Sequence, residues 1–125
     1  MATPILVVDD SAVSRSIVIR SLPPGWDVAI SQASNGSEAL AVLAHAPQAV
    51  VLLDLNMPVM DGYQFLEALH AGANDDRALP VVIVLSGDVQ PEARARVARL
   101  GARAFVGKPI KRETVLAALK ESGVL

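Results

Sequence analysis

A chain of 125 residues is long enough for one domain with its own hydrophobic core, and an apolar fraction of 52% excludes a disordered segment. Its 11 basic and 13 acidic residues leave a net charge of −2, and aromatics make up 3%, so neither a positive field nor a base-stacking surface directs it to nucleic acid. There is no cysteine, which excludes disulfides and thiol chemistry and agrees with a reducing cytoplasm, and no run approaches the roughly 18 apolar residues that span a bilayer.

The start, Met1-Ala2-Thr3-Pro4, has no basic segment, and Ile5-Leu6-Val7-Val8 meets Asp9-Asp10 after four apolar residues, the mark of a strand and not of a signal peptide. Val13 and Ile17, four apart, mark the core face of a first helix, which Pro23-Pro24-Gly25 separates from a weakly alternating edge strand, 28–33. Asn35 with Glu38 reads as a capping box opening a second helix through Leu40 and Leu43. The most apolar run, Ala49 to Leu53, ends in Asp54 and suits the centre of a sheet. Asp61-Gly62 breaks the loop before a third helix faced by Phe65, Leu66 and Leu69, which Gly72 stops. Val81 to Leu85 runs into Ser86. Pro91 then opens a fourth helix through Ala93, Val97 and Leu100, stopped by Gly101. A last strand, 104–106, leads through Gly107 to Lys108, and Val115, Leu116 and Leu119 face the fifth helix inward. Five strand–helix units without linker or repeat imply one α/β domain over 1–125, a parallel sheet with right-handed crossovers.

In such a sheet the carboxyl ends of all strands share one edge, where ligands bind. That edge would gather Asp9, Asp10, Asp54, Ser86 and Lys108. Alone, each has a plain reading: the aspartates and Ser86 as caps, Lys108 as a solvated cation. Jointly they do not. Two carboxylates about 4 Å apart repel by roughly 4 kcal/mol at an effective dielectric near 20, so three at one edge call for a cation or protons. Oxygen ligands without His or Cys favour Mg²⁺. A carboxylate can also act as a nucleophile and form an acyl phosphate, for which a hydroxyl donor and an ammonium are suitable partners. The loop from Asn56 to Gly62 is longer than a simple strand-to-helix turn requires.

With Asp9-Asp10, Asp54 and the loop Asn56-Met57-Pro58-Val59-Met60-Asp61-Gly62, Ser86-Gly87 and Lys108-Pro109, the chain resembles a response-regulator receiver domain of bacterial two-component signalling, of the chemotaxis-regulator type, from Ile5 to about Lys120. The resemblance implies a flavodoxin-like (βα)5 three-layer sandwich with strand order 2-1-3-4-5. It implies a signalling switch that is not an enzyme beyond its own phosphorylation and dephosphorylation. Asp54 would take a phosphoryl group from a sensor histidine kinase or a phosphotransfer protein. Asp10, Asp54 and the backbone carbonyl of Asn56 would ligate Mg²⁺, with Asp9 acting through a water. Ser86 and Lys108 would contact the phosphoryl group, Phe105 would turn inward after Ser86, and Asn56 and Asp88 would tune the lifetime of the phosphorylated state. Lys108-Pro109 would be cis. The fourth helix, fifth strand and fifth helix would present the output surface to a downstream protein or fused effector domain, as a monomer or a phosphorylation-dependent homodimer, in the cytoplasm and off the membrane. Ser86 stands where Thr is commoner, and Phe105 where many members carry Tyr.

Arg94, Arg96, Arg99 and Arg103 read as a solvated face, with Glu92 and Arg96 as a helix pair, although a basic patch there could meet an acidic partner. His45 and His70 read as surface residues. The main alternative is a haloacid-dehalogenase-like phosphatase, which needs an Asp-x-Asp pattern where this chain has Asp9-Asp10; a second is a degenerate receiver that acts only as an interaction module. The glycine motifs of P-loop and dinucleotide-binding proteins do not occur.

Overall fold

The computed structural model describes residues 2–72 and 79–125. Its elements alternate strictly: β1 (Thr3–Val8), α1 (Ala12–Arg20), β2 (Val28–Ala33), α2 (Gly36–His45), β3 (Val50–Asp54), α3 (Gly62–Ala71), β4 (Val81–Ser86), α4 (Pro91–Arg99), β5 (Ala104–Gly107) and α5 (Arg112–Glu121). The five strands are parallel, in the order β2-β1-β3-β4-β5, so β2 is an edge and β3 the centre, the three-layer flavodoxin-like arrangement.

The unbroken apolar runs follow from burial on both faces. Along β1, β3 and β4, Leu6, Val8, Val51, Leu53, Val82 and Val84 enter one core with Ala39, Phe65, Leu66 and Val97 from α2, α3 and α4. Their neighbours Ile5, Val7, Val50, Leu52, Ile83 and Leu85 enter a second core with Val18, Val115, Ala118 and Leu119 from α1 and α5. Period-two alternation in a two-sided sheet thus builds two cores from continuous apolar sequence. Among the described residues no helix is long and apolar enough to cross a membrane.

Two local readings are corrected. Val13 and Ile17 are 69% and 41% exposed, and α1 instead inserts Val18, with Leu22 just beyond the helix. An apolar i, i+4 pair fits either side of so short a helix, and contact with Ile5 and Val7 decides which. At α2, Asn35 accepts the Glu38 N–H as a cap should, but the Glu38 carboxylate turns to the Ser34 N–H and hydroxyl, so the reciprocal half of the box is displaced by one residue. The complete capping box lies at α3, between Asp61 and Gln64.

Candidate functional site

Asp9 is buried and Asp10 exposed at the end of β1. Neither caps α1: the cap is Ser11, whose hydroxyl accepts the Ser14 N–H at 3.2 Å. Asp9 instead accepts the Ser11 N–H on Oδ1 at 2.9 Å, which leaves Oδ2 turned to Lys108 Nζ, 3.4 Å away. A residue the motif reading missed fixes this turn. Arg15 donates to the Asp9 carbonyl at 2.6 Å and, through Nε, to the Gln32 side chain at 2.8 Å, clamping the turn after β1 against β2. One turn into α1, Arg15 carries no sequence signal beyond its nearness to Asp9.

Asp54 ends the fully buried β3 and is itself 6% exposed. The following loop folds back tightly: the Gly62 N–H donates to the Leu55 carbonyl at 2.9 Å, and a Cβ on Gly62 would stand 2.7 Å from the Asp54 carbonyl oxygen. Only glycine permits that approach. The loop also holds Val59, 83% exposed, at φ +69, a backbone setting that β-branched residues avoid.

Ser86 ends β4, fully buried, and its Oγ accepts the Asp88 N–H at 3.0 Å. Lys108 follows β5; its N–H donates to the Ser86 carbonyl at 2.9 Å, and the Lys108–Pro109 bond is cis. Its ammonium lies 3.3 Å from Asp54 Oδ1 and 3.4 Å from Asp9 Oδ2. Asn56 and Asp88 are both exposed at the rim. Phe105 lies a residue pair behind Ser86 on the same sheet face, since Val84 pairs with Phe105 and Ser86 with Gly107.

Asp9, Asp10 and Asp54 each bring a carboxylate oxygen within 4.8 Å of the other two. Burial raises the Asp54 carboxyl above its usual value of 3.8; Lys108 pulls it down and Asp9 pushes it up, and the net direction is upward. For Lys108, burial opposes the charge, but Asp54 and Asp9 together hold the ammonium above its usual 10.5. Three carboxylates against one ammonium leave an excess of two negative charges at one edge. An all-oxygen donor set with that excess fits a hard divalent cation such as Mg²⁺.

Away from this edge, two of the three arginines of α4 are not merely solvated. Arg94 lies over the Phe105 ring, 4.5 Å from its centroid, and Arg96 over Tyr63 at 3.9 Å. Arg96 reaches Glu67 of α3 at 4.0 Å, and not Glu92 on its own helix. His70 is exposed as a residue, yet its ring accepts no idle place: Nδ1 is 3.0 Å from the Leu66 carbonyl, and the far edge lies against Gly101.

A family model of the response regulator receiver domain matches residues 5–120. A probable chemotaxis protein CheY of Rhizobium etli is 32% identical over 116 residues, which cover 93% of this chain and 88% of that one. A protein-glutamate methylesterase/protein-glutamine glutaminase of Moorella thermoacetica is 43% identical over 109 residues, 84% of this chain but 24% of the relative, so the likeness to that enzyme spans only a part of it. Among solved structures, the chemotaxis response regulator CheY4 of Vibrio cholerae superposes with a TM-score of 0.84 at 29% identity, over 98% of this chain and 99% of that one.

Proposed function

We propose a phosphorylation-driven switch for this chain, which belongs to the response-regulator receiver family. The whole chain, 1–125, is one receiver domain, and Asp54 is its phosphoryl acceptor. The observation that carries this is the Lys108 ammonium held 3.3 and 3.4 Å from Asp54 and Asp9 at an edge where three carboxylates converge. A carboxylate oxygen of Asp54 attacks phosphorus as the bond to a donor imidazole nitrogen breaks, so the phosphoryl group passes from a sensor histidine kinase or phosphotransfer protein. Asp10, Asp54 and the Asn56 carbonyl would hold Mg²⁺, with Asp9 acting through a water, and the ion would supply positive charge to offset that of the transferring group.

Lys108 then turns from the carboxylates to the new phosphoryl oxygens, and the Ser86 hydroxyl donates to one of them. Phe105, on the same sheet face as Ser86, moves with it and alters the surface formed by α4, β5 and α5. Asn56 and Asp88, exposed at the rim, govern access of water and hence the lifetime of the modified state. The output is read by a downstream protein or a fused effector domain, with the chain as a monomer or a phosphorylation-dependent homodimer. Incubation with labelled acetyl phosphate and Mg²⁺ tests the reading: the protein takes up label, and Asp54→Asn abolishes it. Undiminished labelling of that variant, or turnover of a phosphomonoester without protein labelling, would refute it.

A further inference from the structure

We propose that Arg94 is a positioning residue for the switch: its guanidinium, stacked on the Phe105 ring, holds that ring in the place seen here and sets how readily the domain changes state. This rests on the reading above, in which Phe105 leaves that place once Asp54 is modified. The helix that carries Arg94 is lightly anchored. Helix α4 buries only Ala93 and Val97, and its N-cap Gln90 makes no side-chain cap bond. Its register against β5 therefore depends on contacts outside the core.

Two such contacts come from the segment that follows Ser86. Val89 lies over Gly107, its Cγ1 2.9 Å from where a Cβ would stand, and Arg94 lies over Phe105. Phe105 and Gly107 are two apart on β5 and share a face, so loop and helix grip one side of that strand at adjacent points. The ring is half-buried; a weakly hydrated, planar guanidinium suits its outer face. Arg96 cannot substitute, because its ring partner is Tyr63 on α3.

A stack made in one state and lost in the other biases the equilibrium by its own strength, and a ligand that favours the second state binds more weakly by the same factor. For a partly exposed cation–π pair that factor is about two- to fivefold. The chain holds two phenylalanines, 65 and 105, so incorporation of 4-fluorophenylalanine gives two fluorine resonances, assigned by the loss of one in Phe105→Leu. Arg94→Met keeps the aliphatic stem without the charge; Arg94→Lys keeps a cation. Each is titrated with beryllofluoride in Mg²⁺ as a phosphoryl mimic.

We expect Arg94→Met to shift the Phe105 signal and not that of Phe65, and to lower the half-saturating beryllofluoride concentration about two- to fivefold. Arg94→Lys should return the midpoint toward the parent. An unchanged midpoint in Arg94→Met, with a Phe105 signal that responds to the mimic, overturns the role of Arg94 alone. A Phe105 signal that ignores a mimic whose binding Asp54→Asn abolishes overturns the switch reading, and with it the positioning role of Arg94.

Discussion

The strand-end edge and the flank of α4 are built on opposite terms. At the edge, Asp54 continues a strand whose five residues are all buried, Gly62 is pressed onto its carbonyl, and Arg15 clamps the turn that carries Asp9. Lys108 is tied by its own N–H to Ser86 before its ammonium reaches the carboxylates. The flank has little of this. Helix α4 is held by two small buried side chains and two arginines lying on aromatic rings. Under the proposed switch, the groups that would meet a reacting atom stand on rigid backbone, whereas the element that would move is held by contacts worth little individually.

The contrast breaks most sharply at Gly62. A methyl group there meets backbone atoms of Asp54 and Leu55 at 2.7 and 2.8 Å, which cannot yield without moving β3. Gly62→Ala should lower stability by about 3 kcal/mol in urea unfolding, whereas Gly87→Ala, with open space around it, should change it by less than about 0.5 kcal/mol. Equal effects would mean that the edge is no stiffer than its surroundings. Next in size is Lys108→Met, which leaves Asp9 and Asp54 buried without their cation. A loss of about 2 kcal/mol at neutral pH is expected, less than for a wholly buried pair because Lys108 is partly exposed, and added Mg²⁺ should restore part of it.

Asp54→Asn moves stability the other way. Burial, with Asp9, raises the Asp54 carboxyl in the folded chain despite Lys108, so folding favours its protonated form. That contribution is complete below the ordinary value of 3.8 and is lost as pH rises through the raised one. At neutral pH the ionised carboxylate is therefore a cost without Mg²⁺, and Asn removes it. Thermal melts should show a gain on the order of 1 kcal/mol at pH 7, vanishing below pH 3.8. A variant less stable than the parent at pH 7 would contradict the upward shift.

Much of the edge was legible because it is written in strands. Continuous apolar runs such as Val50 to Leu53 admit few placements, and the polar residue after each must fall on one rim. The side chosen by α1 was not legible, since Val13, Ile17, Val18 and Ile19 put apolar groups nearly all round it and only packing on Ile5 and Val7 selects Val18. Arg15, Arg94 and Arg96 were unreadable for another reason. Each acts on a group from a different element, and a guanidinium on an exposed helix has the same sequence pattern whether it meets water, a carbonyl or a ring.

The smallest expected effect bears on the flank itself. Arg96 stacks on Tyr63 at 3.9 Å and reaches Glu67 at 4.0 Å, with both charged side chains more than half exposed. The ion pair is then worth little, and the stack supplies most of whatever holds α4 to α3. Arg96→Met should therefore weaken α4 by about 0.5 kcal/mol, read as roughly twofold faster hydrogen exchange of its amides. Since Ala93 and Val97 still anchor the helix in the core, exchange along β3 should not change. If β3 amides quickened equally, α4 would be unfolding only together with the sheet, and the flank would share the rigidity of the edge instead of being independently loose.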